Sequence, residues 1–143
     1  LPAAVARALP KQLDHLRALV RQEDAAFHAG DVKSWIRLSG EFHCRLAALA
    51  RNPVMLHYTT ELVTQSLLMT ALYMPPGQTT CATDEHLALI DAIAAKDERL
   101  ARSLMQRHLD ACEARLALDR VQALPADLAE ALRVRRRRAA AAR

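Results

Sequence analysis

The sequence is poor in the residues that build sheets and their turns: aromatic side chains make up 3% of it and glycine occurs three times. Strands favour aromatic and β-branched residues, so a β architecture is excluded at the level of composition. Long apolar runs are also missing. The longest, around Leu67 to Met74, is broken by Thr70, well short of the roughly 18 to 20 residues a membrane-spanning helix needs. The three cysteines, Cys44, Cys81 and Cys112, are odd in number and form no CxxC pair. That pattern argues against a disulfide framework and for reduced thiols in a cytoplasmic protein, each a small, partly buried apolar side chain. No HExxH, nucleophile elbow or phosphate-binding loop is present. No signal peptide is visible, and Leu1 is not a natural start, so more chain is expected to precede it.

What the chain does have is alanine and leucine, within a hydrophobic fraction of 52% over 143 residues. These residues favour helix, and the length suits one domain with one core. The expected fold is all-α, a single antiparallel bundle of about six helices. Residues 1–9 read as the end of a helix, and Pro10 suits the first turn of the next. Leu13, Leu16, Val20 and Phe27 recur at helical spacing until Gly30, and Asp31 caps the following helix. Trp35, Leu38, Phe42, Leu46 and Leu49 form its apolar stripe, and Arg51-Asn52-Pro53 stops it. A third long helix, through Leu56, Leu62, Leu67 and Leu68, ends near Tyr73 before Pro75-Pro76-Gly77.

Thr83 reads as the N-cap of a short helix carrying Leu87, Ile90 and Ile93, with Asp84 and Glu85 in its first turn, where negative charge meets the helix dipole. Lys96-Asp97 turns into a helix with Leu100, Leu104, Leu109, Leu116 and Leu118; Pro125 interrupts it, and a last helix runs into the arginines. The net charge of +4 is concentrated in Arg133, Arg135, Arg136, Arg137 and Arg138. This run reads as a solvated, disordered tail rather than a nucleic-acid contact, since like charges repel and no aromatics interleave to stack on bases.

The candidate chemistry lies in the six histidines. His15, His28 and His57 read as surface or helix-end residues. His43, His86 and His108 lie near the apolar sides of three different helices. Neutral imidazole is a common ligand for zinc and similar ions, and a buried imidazole needs a partner. Their wide spacing leaves two readings open: three imidazoles converging on one metal, or three unrelated histidines hydrogen-bonded in a core.

Glu41-Phe42-His43-Cys44-Arg45-Leu46-Ala47 with Arg51-Asn52-Pro53 resembles the "FH..LA…NP" signature of the FCD domain, the C-terminal effector domain of FadR-type regulators in the GntR superfamily. Asp84-Glu85-His86-Leu87-Ala88-Leu89-Ile90-Asp91-Ala92-Ile93 followed by Asp97 is similar to its "EH..I..AI…D", His108-Leu109 to its closing "HL", and Gly30-Asp31 to its "GD" turn. The resemblance runs from about Pro10 to about Leu118. It implies a helical bundle around a central cavity holding a divalent metal, zinc or nickel, on His43, His86 and His108. The carboxylate implied one turn before the first histidine falls on Ser39, a poor zinc ligand. An arginine implied after the NP turn is absent, which leaves Thr60, Thr64 and Gln65, with Arg37 and Arg45 as cationic alternatives, to contact the effector.

The expected organisation is an FCD-like domain over residues 1–132 and the basic tail over 133–143, with a winged helix-turn-helix domain preceding Leu1. The function so implied is sensing: a small metabolite, an organic acid, binds at or near the metal and controls DNA binding by a cytoplasmic homodimer. The rival readings are a metal-dependent enzyme on the three-histidine site and a plain helical interaction module without metal.

Overall fold

The computed structural model describes residues 1–74 and 83–116, and all regular structure among them is helical. The elements are α1 (Pro2–Arg7), α2 (Pro10–His28), α3 (Val32–Ala48), α4 (Pro53–Tyr73), α5 (Thr83–Ala94) and α6 (Glu98–Ala114). The expected helix after Pro125, the basic tail, Cys81 and Leu118 lie outside the described residues. No helix among those described is long and apolar enough to cross a membrane.

The turns follow from local chemistry. α2 ends in a Schellman motif: Asp31 N–H donates to Ala26 O at 2.9 Å and Gly30 N–H to Phe27 O at 3.0 Å. Gly30 takes φ +70° there, a left-handed conformation that costs an ordinary L-residue roughly 1–2 kcal/mol. The Asp31 carboxylate then accepts from Ser34 N–H at 3.1 Å and caps α3. Hydrogen bonds from Ser34 hold this carboxyl below its ordinary pKa. Asn52 caps α4 through Met55 N–H, with Pro53 in the first turn, and Asp97 caps α6 through Leu100 N–H.

α5 closes with the same motif as α2 but with Lys96, φ 58°, in the left-handed position. Its ammonium donates to Val5 O at 2.8 Å and Ala8 O at 2.9 Å. One lysine thereby satisfies carbonyls at the end of α1 and ties that helix to the α5–α6 turn.

The core lies between α2, α3 and α5, where Leu16, Val20, Phe42, Leu89, Ile90 and Ile93 are all but inaccessible. α6 packs on α5, and among the described helices α4 packs on α3 alone. Gly40 sets the α3–α4 approach, because a Cβ there would sit 2.6 Å from the Leu67 side chain.

Three details differ from expectation. Thr83 lies inside α5 rather than before it, and its hydroxyl bonds Asp24 at 3.0 Å. Leu100 is exposed and Leu109, half-exposed, lines the cavity, so α6 packs on the core through Ala101, Leu104, Met105 and His108 instead. Phe27 is partly exposed, set edge-on to Trp35 at the end of the bundle.

Candidate metal centre

His43 arrives on α3, His86 on α5 and His108 on α6, and one nitrogen of each lies within 4.8 Å of the other two. Ring centroids are 4.9–5.2 Å apart. The Nε2 atoms of His43 and His108 are 3.2 Å apart. Neighbouring nitrogens around a tetrahedral zinc are about 3.3–3.4 Å apart, given zinc–nitrogen bonds of about 2.0–2.1 Å. The donor set and its spacing therefore fit a divalent ion of that kind.

Two carboxylates orient the rings from behind. His86 Nδ1 lies 2.9 Å from Glu23 Oε2, and both side chains are fully buried. His108 Nδ1 lies 2.8 Å from Glu85 Oε2, while Arg115 donates to Glu85 Oε1 at 3.1 Å. A carboxylate accepting from Nδ1–H fixes the tautomer that presents a lone pair at Nε2, and it raises the basicity of that nitrogen. Phe42 completes the back wall, stacked on His86 at a centroid distance of 4.0 Å and an interplanar angle of 21°.

Neither carboxylate was among the expected site residues. Glu23 sits on the buried stripe of α2, three residues after Val20. A carboxylate in an apolar stripe is the sequence signal that marks it, because buried charge needs a partner. Glu85, expected to serve the helix dipole, turns instead toward α6.

His43 and His108 stand at the wall of a cavity of about 650 Å³ between α3, α4 and α6, bounded by Gly40, Val63, Met69 and Met105 among others, while His86 lies buried behind them. Ser39, at the position where a carboxylate is implied, is buried and lines the same space.

The expected effector contacts are mostly elsewhere. Arg37 and Arg45 both pair with Glu41 on the exposed side of α3, at 3.0 and 2.9 Å, and do not line the cavity. Thr60 and Thr64 lie on the other side of α4, their hydroxyls bonded to Leu56 O and Thr60 O at 2.8 Å. Gln65 does reach the cavity lining. On α4 the polar groups facing inward include Thr59, Ser66 and Thr70. Among the described residues no lysine or arginine lines the cavity.

The FCD domain family model matches residues 1–111. Among solved structures, E. coli McbR/YncC superposes with a TM-score of 0.69 at 19% sequence identity, over 79% of this chain and 58% of that one. The likeness shows a common fold, and the chain spans less than two thirds of that neighbour's length. No curated protein matches it in sequence.

Proposed function

The chain belongs to the FCD domain family, and from that premise we propose that it is the ligand-sensing domain of a GntR-type transcription regulator. It binds a small metabolite beside a divalent ion held by His43, His86 and His108. The role is sensing rather than turnover, and DNA binding falls to a winged helix-turn-helix domain preceding Leu1 in a cytoplasmic regulator. The observation that carries this reading is the meeting of three imidazoles, each from a different helix, with those of His43 and His108 lining one cavity.

The ion supplies a Lewis-acidic coordination position for an oxygen donor of the metabolite. The protein's own groups do the rest. Glu23 and Glu85 hold two of the rings in register. The apolar walls contributed by Val63, Leu67, Met69 and Met105 select a ligand with a hydrocarbon body, and Thr59, Ser66 and Thr70 offer hydroxyls. With no cationic side chain on the described wall, an organic acid finds its counter-charge at the metal. A metabolite bridging α4 and α6 favours one spacing of these helices, and only such differential affinity can shift the domain between states.

Elemental analysis of the purified protein tests the reading. Near-stoichiometric zinc or nickel is expected, with loss of the metal from His86→Ala. Metal-free protein that takes up neither ion would sink it.

A homodimer accompanies this function. Val54, Tyr58, Leu68 and Leu72 are exposed on one face of α4, away from the cavity, as two apolar pairs with Glu61 and Gln65 between them. Their spacing is one helix face, and exposed apolar side chains flanking a polar centre suit a second copy of the chain. Light scattering is expected to give a dimer mass that falls to the monomer in Leu68→Glu; a native monomer contradicts the assignment.

A further inference from the structure

α6 carries one more group with ligand chemistry at the cluster. Cys112 follows His108 by one helical turn, so the two side chains share a face. It is half-buried and lines the same cavity. Its Sγ lies 3.7 Å from His108 Nε2, the nitrogen that also faces His43 Nε2 at 3.2 Å. Around one tetrahedral zinc, with bonds of about 2.3 Å to sulfur and about 2.0–2.1 Å to nitrogen, a sulfur and a nitrogen ligand stand about 3.6 Å apart. Both separations at His108 Nε2 match those of neighbouring ligands of one ion, while Sγ stands just outside the group in which the three imidazoles lie within 4.8 Å of one another.

The residue one turn before His43 is Ser39, so α3 offers a hydroxyl where a carboxylate would complete the set. Across the cavity wall α6 offers a thiol. We propose that Cys112 is the fourth protein ligand, making the site His43-His86-His108-Cys112. The proposal rests on the reading of the three histidines as a metal site and adds the residue that completes it. On coordination the thiol proton is released to solvent and sulfur binds as thiolate. Three imidazoles and a thiolate favour zinc and cobalt over magnesium, calcium or manganese, which prefer oxygen. With four protein ligands, a donor atom from the metabolite would have to enter as a fifth ligand or displace the thiolate.

Cobalt(II) reads the sulfur directly. Titration of the reduced, metal-free chain with Co²⁺ is expected to produce visible ligand-field bands and a near-ultraviolet thiolate-to-cobalt charge-transfer band at one equivalent. Cys112→Ser should lose the near-ultraviolet band, keep the visible ones and bind Co²⁺ at least about tenfold more weakly. Cys44→Ser and Cys81→Ser should retain all of them. Visible bands that depend on His108 without any charge-transfer band, or a band that survives Cys112→Ser, overturn the assignment of Cys112 while leaving the three histidines in place. No cobalt bands at all would remove the metal site itself, and Cys112 with it.

Discussion

A chelator is expected to lower the melting temperature of the metal-loaded protein by roughly 10 °C. The magnitude follows from linkage. An ion that binds only the folded chain stabilises it by about 2.7 kcal/mol at a hundredfold excess over its dissociation constant. For a domain of this size each kcal/mol moves the melting temperature by about 3–5 °C. The effect is large because the ligands come from α3, α5 and α6, so unfolding any of these helices breaks the set. Outside the ion, α5 and α6 meet α3 near this point mainly through Phe42 and the imidazoles themselves. Differential scanning calorimetry with and without chelator measures the shift. His108→Ala should melt at one temperature in both conditions, whereas Arg37→Ala, on the exposed face, should shift like the native chain. Equal melting of the native protein with and without chelator would mean that the rings meet for packing alone.

The features readable in the sequence are those whose cause is local. Gly30, Asp31 and Pro53 punctuate helices through backbone conformation, capping and a missing N–H, and each does so here. The stripe of α3 is legible because one face carries Trp35, Leu38, Phe42 and Leu46 while the other is polar. α4 offers no such contrast. Its polar and apolar residues are mixed on every face, and among its residues only Thr70 is buried. Its inward face cannot be read from periodicity; the arginine missing after the NP turn pointed to Thr60 and Thr64, whereas Thr59 and Ser66 line the cavity.

Arg37 and Arg45 show the opposite case. Each stands four residues from Glu41, the spacing of a helical ion pair, and that local pairing outcompetes the cavity for them. The convergence of His43, His86 and His108 has no local cause at all. It was legible only through resemblance to the family, whose motifs carry the fold that brings the three helices together. The pairing of the carboxylates with the rings lay beyond both kinds of reading, although the stripe of α2 marks Glu23 as buried. Glu23 is 63 residues from the histidine it holds, and Glu85 is 23 residues from its own.

Glu23 is where the largest single loss is expected. Its side chain and that of His86 are both fully buried and joined at 2.9 Å. Glu23→Ala leaves the His86 Nδ1–H without an acceptor in a low-dielectric interior, at about 1–3 kcal/mol, and the emptied space of a buried side chain brings the total to about 3–5 kcal/mol. That is a large share of the roughly 5–15 kcal/mol by which domains are stable, so Glu23→Ala should unfold at markedly lower denaturant concentration. Stability alone does not separate a filler of space from a group that tunes the metal site. Glu23→Gln does, because the amide keeps the volume and an acceptor oxygen while losing the charge. If Glu23 acts by fixing the His86 tautomer and raising its basicity, the Gln variant stays folded and binds zinc about 10–100-fold more weakly by calorimetric titration. Native zinc affinity in Glu23→Gln would mean that the α2 carboxylate merely satisfies a buried ring, and that orientation of His86 rests on its stacking against Phe42.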